Sequence, residues 1–205
     1  GLRHEHEHVT SGVPFPMGAL KDAAQVRLVD ELGKELPLQV RASATWREGS
    51  VKWALLDFPL EVAANGTRRL TLEFGEGVAR SPTRDGVRIQ ETAEAVEVST
   101  GPLRFSVSKT NSDLFQSVLV DADRDGRFDE AEHVATGLAA TMTLTGQPAE
   151  RLLHALPPTE VVFEERGPER VVISVRGWLN DADGAPASPR MQYLWRLHAR
   201  AGSAA

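Results

Sequence analysis

The sequence predicts an all-β protein, and three observations carry that prediction. Apolar and polar residues alternate with a period of two along most of the chain, the repeat of a half-buried strand. Turn-forming residues interrupt these runs at short intervals. Helical periodicity is nearly absent, with helical turns expected only near Leu20–Ala24 and Glu130–Val134. Many short strands separated in this way read as barrel or sandwich architecture.

The first strong strand places Leu38, Val40, Ala42, Ala44 and Trp46 on one face and Gln39, Arg41, Ser43 and Thr45 on the other. Leu70, Leu72 and Phe74 repeat the pattern, as do Leu103, Phe105 and Val107. LFQSVLV, ending at Val120, reads as a strand, followed by Val171, Ile173 and Val175, and by Met191, Tyr193, Trp195 and Leu197. β-Branched and aromatic residues fill these runs, as a pleated, half-buried surface favours. The turns are Asp30 to Gly33, Glu48-Gly49, Asn65-Gly66, Asp85-Gly86 and Arg166-Gly167-Pro168. GEGVARSPTRDG, from Gly75, lacks alternation and marks a boundary between two regions, each with its own core. Gly146 to Pro158 and Asn180 to Pro189 read as loops, and no internal repeat is visible.

Composition excludes several function classes. A chain of 205 residues buries a sizeable core without a staple. The formal net charge of −6 lacks the basic field that non-specific nucleic-acid binding needs. No apolar run reaches the roughly 18–20 residues of a membrane-spanning helix. Cysteine is absent, which removes disulfides, thiolate metal sites and cysteine nucleophiles. A first residue that is glycine fits a processed or trimmed chain.

The sharpest motif is DADRDGRFDEAE, beginning at Asp121. It fits D-x-[DN]-x-[DN]-G-x5-E, the pattern of a calcium loop. Calcium takes six to eight hard oxygen ligands at about 2.3–2.6 Å, and alternating aspartates with a glycine at the sharp turn supply them. Asp121, Asp123 and Asp125 are the firmest expected ligands of a Ca2+ ion. The Arg127 carbonyl, Asp129 (directly or through water) and Glu132 complete the set. The competing reading, a solvated acidic turn, leaves crowded carboxylates to repel one another without a cation. A strand leads into the loop, little helix follows it, and no second loop of this kind exists. A structural clamp is therefore expected rather than a switch.

Three further groups are weaker. His4, His6 and His8 would face one way in a strand, a candidate second metal site set against the looseness usual at a terminus. Arg190, Gln192, Arg196, His198 and Arg200 share one strand face, a candidate for acidic-sugar carboxylates or simply a wet sheet face. Of the tryptophans, Trp46 and Trp195 fall in phase with core positions, whereas Trp178 falls out of phase and is the candidate glycan-stacking ring. No nucleophile triad, phosphate-cradling glycine loop or HExxH motif is present, and nothing places Glu164 and Glu165 in a cleft. No catalytic residue is assigned.

GVPFPMGALKDAAQVRLVDELGKELPLQVRASATWREGSVKWALLDF (Gly12 to Phe58), TGPLRF (Thr100 to Phe105), the DADRDG loop, EERGPERVVISVRG (Glu164 to Gly177) and YLWRLHARAGS (Tyr193 to Ser203) follow one another in a recognisable order. They resemble the N-terminal region of exo-rhamnogalacturonan lyase and YetA-like proteins. The resemblance implies a small RIFT-type β-barrel over residues 12–77 after an N-terminal tail of 1–11. A linker of 78–86 and an antiparallel β-sandwich-like region over 87–205 then follow. It implies an exported bacterial setting (extracellular or periplasmic) and an acidic polysaccharide as partner. The helical toroid of such lyases has no counterpart in this chain, so activity of the isolated chain is not expected. Self-association through β-edges into a surface or filament assembly is the alternative function.

Overall fold

A computed structural model describes residues 4–145, 150–181 and 186–204, with the side chains of 4–6 and 186–190 left aside. The described chain consists of strands and one short 3-10 turn, so the all-β expectation is met. Among the described residues no helix is long and apolar enough to cross a membrane. Contacts divide the chain into two units. One comprises Gly1–Asp85 with the short segment Gly167–Glu169, the other Gly86–Arg166 with Arg170–Ala205.

In the first unit the strands are β1 (His4–Pro14), β2 (Val26–Val29), β3 (Glu35–Leu36), β4 (Gln39–Thr45), β5 (Val51–Val62) and β6 (Thr71–Phe74). They form two three-stranded antiparallel sheets, in the orders β1-β5-β4 and β3-β2-β6. Both sheets send apolar residues to one core of Phe15, Leu20, Val26, Leu28, Leu38, Val51, Ala54, Leu56 and Phe58. At the turn between β2 and β3, Asp30 Oδ1 accepts the amides of Leu32 and Lys34, both at 2.9 Å.

Two expectations change here. β1 reaches back to His4 and pairs with β5 beyond Val9, because Val9 and Val13 pack against the barrel core; much of the expected tail is strand. Residues 20–24 form turns rather than helix, with Leu20 fully buried.

The second unit contains β7 (Arg88–Glu91), β8 (Ala95–Ser99), β9 (Leu103–Ser108), β10 (Asp113–Val120), a 3-10 turn (Glu130–Glu132), β11 (His133–Ala139), β12 (Thr141–Leu144), β13 (Arg151–Ala155), β14 (Glu160–Arg166), β15 (Arg170–Asp181) and β16 (Pro186–Arg200). β7 to β11 form a meander in the order β11-β10-β9-β8-β7. β12, β13, β15 and β14 form the other sheet, with β16 paired along β15. Val96, Val98, Phe105 and Val107 of the first sheet meet Leu153, Val171, Ile173, Val175, Leu179 and Tyr193 of the second in one core. This is sandwich packing, with the inner faces of the two sheets sharing one core.

β13 lies inside a segment expected to be loop. Leu153 and Ala155 alternate into the core over only five residues, too short a run beside Gly146 and Pro157 to stand out from turn chemistry. One close approach is fixed by glycine. A Cβ on Gly177 of β15 would collide with the Tyr193 ring, whose hydroxyl donates 2.8 Å to the Leu156 carbonyl.

Candidate metal centre

The loop of residues 121–132 connects β10 to β11, neighbouring antiparallel strands, so its ends are held at the spacing of a sheet. Its entry is anchored where the Asp121 amide donates 2.9 Å to the Pro102 carbonyl. Arg124 adopts φ 63° and Gly126 φ 80°, left-handed conformations that curl the chain back on itself.

This curl turns the loop's amides onto its own carboxylates. Gly126 N donates 3.0 Å to Asp121 Oδ2, Asp125 N donates 3.1 Å to Asp123 Oδ1, and Arg127 N donates 2.7 Å to Asp125 Oδ1. At the far end Glu132 Oε1 accepts from Ala122 N at 2.7 Å, closing residues 122–132 into a ring. Asp129 caps the 3-10 turn, accepting from Ala131 N at 2.8 Å, while Glu132 Oε2 reaches back to the Asp129 amide at 3.3 Å. This reciprocal cap positions Glu132 without a following α-helix.

Asp121, Asp123 and Glu132 each bring one carboxylate oxygen within 4.8 Å of the others. Two oxygens bound to one ion at about 2.4 Å stand at most about 4.8 Å apart, so this spacing suits a shared calcium. Asp121 is only 8% exposed, and its Oδ1 is buried with no hydrogen-bond donor. A buried carboxylate oxygen without a donor is costly unless a cation meets it. The donor set is all hard oxygen, which fits calcium and not a thiophilic metal. Asp125 and Asp129 stand outside the converging trio, each side chain accepting a backbone amide.

Sequence reasoning missed the packing under the loop. The Arg104 guanidinium of β9 lies 4.3 Å from the centre of the Phe128 ring, pinning the loop's aromatic residue against the sheet. Phe128 is the one large apolar residue in DADRDGRFDEAE, and that was the available signal.

The other candidate residues fall differently. His4 and His6 lie outside the residues whose side chains are described, and His8 is half-buried opposite Pro59. Arg190 also lies outside them. Gln192, Arg196, His198 and Arg200 do share the outer face of β16. Carboxylates of β14 already meet this face. Arg196 Nε donates to both oxygens of Glu164, at 2.9 and 2.8 Å, and Arg176 reaches Glu160 at 3.5 Å. The Arg196 bond holds Glu164 below the ordinary carboxylate range. Burial, with Arg170 and Arg200 nearby, pushes the His198 imidazole down. Glu165 is buried, with Arg170 Nε at 3.8 Å, so Glu164 and Glu165 form no acid–base pair.

The tryptophans are redistributed. Trp46, Trp178 and Trp195 are all half-buried, Trp46 through an Nε1 bond of 3.0 Å to the Phe15 carbonyl and Trp195 through stacking on Tyr193. The exposed ring is Trp53, at 42%. Register shifts in β4 near Ala42 and Ala44 break the phase that made Trp46 look like core.

Residues 2–72 match the PcRGLX-like N-terminal RIFT barrel domain family. The chain is also similar to the uncharacterized protein YetA of Bacillus subtilis (strain 168), 26% identical over 172 residues, covering 82% of this chain and 19% of that protein. Both findings bear out the resemblance read from residues 12–58 and beyond, and the first unit is a RIFT-type barrel. The chain spans about a fifth of the length of the curated relative it matches.

Proposed function

We propose that this chain is a non-catalytic β-module of an exported, polysaccharide-lyase-like protein, clamped by one calcium ion and meeting acidic glycans. The observation that carries the calcium reading is the buried, donorless Asp121 Oδ1 within 4.8 Å of oxygens from Asp123 and Glu132. Those three residues would hold the ion, with Asp125, the Arg127 carbonyl and Asp129 as the further expected oxygens. Bound calcium supplies charge neutralisation for the converging carboxylates. The chain's own part is to present those oxygens on a closed ring of amide hydrogen bonds and to hold β10 and β11 together beneath it.

The lyase-like setting draws on the match of residues 2–72 to the barrel domain of that family. Elimination from a uronate needs a base for the α-proton and a group to neutralise the carboxylate, and no residue is assigned to either role. Chelator-treated protein should melt lower and recover on calcium addition but not on magnesium, whose smaller octahedral shell fits this loop poorly. An identical melt with and without calcium would overturn the clamp. Unsaturated product released from an acidic polysaccharide would overturn the non-catalytic part.

A second reading, self-association, draws on β11. This edge strand of the meander is exposed along most of its length, with Val134 at 64% and Leu138 at 46%. Light scattering tests it; a monomer at high concentration in calcium removes it.

A further inference from the structure

The outer face of the β1-β5-β4 sheet carries an aromatic ring with one side covered and the other open. Trp53 of β5 stands opposite Pro14 of β1 and Ala44 of β4. Its six-membered ring lies over Gly12, where an added Cβ would stand 3.6 Å from both Cε3 and Cζ3. Gly12 thus lets the ring lie down on the strand, and the ring in turn shields a bare stretch of backbone. Cross-strand cover of a glycine explains the inner side of the ring. It does not explain why Trp53 keeps 42% of its surface exposed when the other three tryptophans are half-buried.

The next cross-strand row is Gly12, Leu55 and Arg41, so Arg41 projects from the same face one row along from the ring. Arg41 is exposed, and no hydrogen bond or ion pair engages it among the described residues. Elsewhere the arginines Arg27, Arg151, Arg176 and Arg196 each meet a carboxylate. Two hydroxyls lie near the pair, Ser43 on β4 and Thr10 on β1; they donate to the Trp53 carbonyl and to Asp57 Oδ1 and keep lone pairs that can accept. A flat apolar ring, a free guanidinium and hydroxyl acceptors on one sheet face suit a ligand with one apolar face, a carboxylate and hydroxyls. A uronic acid pyranose has all three.

We infer that Trp53 and Arg41 form a subsite for an acidic pyranose, the open ring stacking on the sugar's C–H face and the guanidinium pairing with its carboxylate. The inference rests on the reading that this module meets an acidic glycan. It places that contact on the barrel rather than on the β16 stripe, where Glu164 already engages Arg196.

Calorimetric titration of the full chain with trigalacturonate and with its methyl ester tests it, alongside W53A, W53F, R41Q and R196Q, each checked by its melt. The parent should bind the acid about tenfold tighter than the ester, the advantage of a charge-assisted pair. W53A should lose both ligands by about tenfold or more, W53F should retain most binding, and R41Q should bring the acid down to the ester. If R196Q loses the acid while W53A and R41Q bind as the parent does, the subsite is refuted and the glycan reading survives. If the parent binds neither probe, both fall.

Discussion

Asp121 Oδ2 accepts the Gly126 amide at 3.0 Å, while Oδ1 of the same carboxylate stays buried with no donor. The first contact needs the left-handed turn at Gly126, and the second atom is the one that the proposed calcium would meet. In the proposed clamp one carboxylate would therefore link loop closure to metal occupancy. Asp121→Asn keeps an oxygen for Gly126 but removes the charge, so it should abolish the calcium-induced rise in melting temperature. For the parent, calcium at a hundred times its Kd adds about 2.7 kcal/mol to the unit that binds it. That corresponds to a rise of about 5–10 °C, readable by scanning calorimetry. A D121N protein that still responds to calcium would locate the ion elsewhere.

The geometry also ranks the acids. Asp123 and Glu132 each bring an oxygen within 4.8 Å of Asp121, whereas Asp125 and Asp129 stand outside that trio. Calcium titrations should show D123N and E132Q losing the site, and D125N weakening it by a smaller factor. Equal losses across all of them would mean that the loop rearranges around the ion, with Asp125 entering the ligand set.

Arg104 and Phe128 give the loop a second anchor that does not depend on metal. Phe128→Ala should lower the melting temperature by a similar amount with calcium or with chelator, since it removes a packing contact and no ligand. A shift seen only in calcium would instead make Phe128 part of the ion's support.

The loop was legible in the sequence because its chemistry is local. Spacing alone brings Asp121, Asp123 and Gly126 into one turn, and a capping box brings back Glu132. The long strands were legible for the same reason, alternation being a property of neighbours. What escaped depends on partners distant in the chain. β13 is a strand because its Leu153 joins the core made by β8, β9 and β15, and its own five residues carry little signal. Trp46 lies half-buried rather than in the core because register shifts in β4 move the phase, and a bulge leaves no mark on composition. Arg196 looked free until β14 placed Glu164 beside it.

Gly177 and Tyr193 give a test of the sandwich core. An alanine methyl at Gly177 would collide with the buried Tyr193 ring. Overpacking of this kind costs about 1–3 kcal/mol. Gly177→Ala should lower the denaturation midpoint accordingly, and Tyr193→Phe, losing only the bond to the Leu156 carbonyl, should cost about 1 kcal/mol. Combining Gly177→Ala with Tyr193→Leu should recover part of the loss. Strict additivity would mean that the two positions do not touch.

Glu169 gives the pH dependence of the first unit. It is 1% exposed, its Oε1 accepts the Thr83 hydroxyl at 2.8 Å, and its amide donates 3.0 Å to Gln39 Oε1. Burial pushes its carboxyl above the ordinary value of 4.5; the Thr83 bond and the charge of His8 oppose that rise, and Asp57 adds to it. Between the unfolded and folded pKa the folded state holds more protons than the unfolded one, so stability falls as pH rises through that window. The contribution of Glu169 is fully present below about pH 4.5 and is lost above its raised folded pKa. Glu169→Gln keeps an acceptor for Thr83 and the same shape but cannot ionise. Denaturation at a series of pH values should therefore show the variant gaining on the parent as pH rises from 4 to 8. The two should be near parity at the acid end, with the variant melting higher at neutral pH. Parallel curves would show that Glu169 ionises as readily in the fold as out of it, and that water reaches the carboxylate.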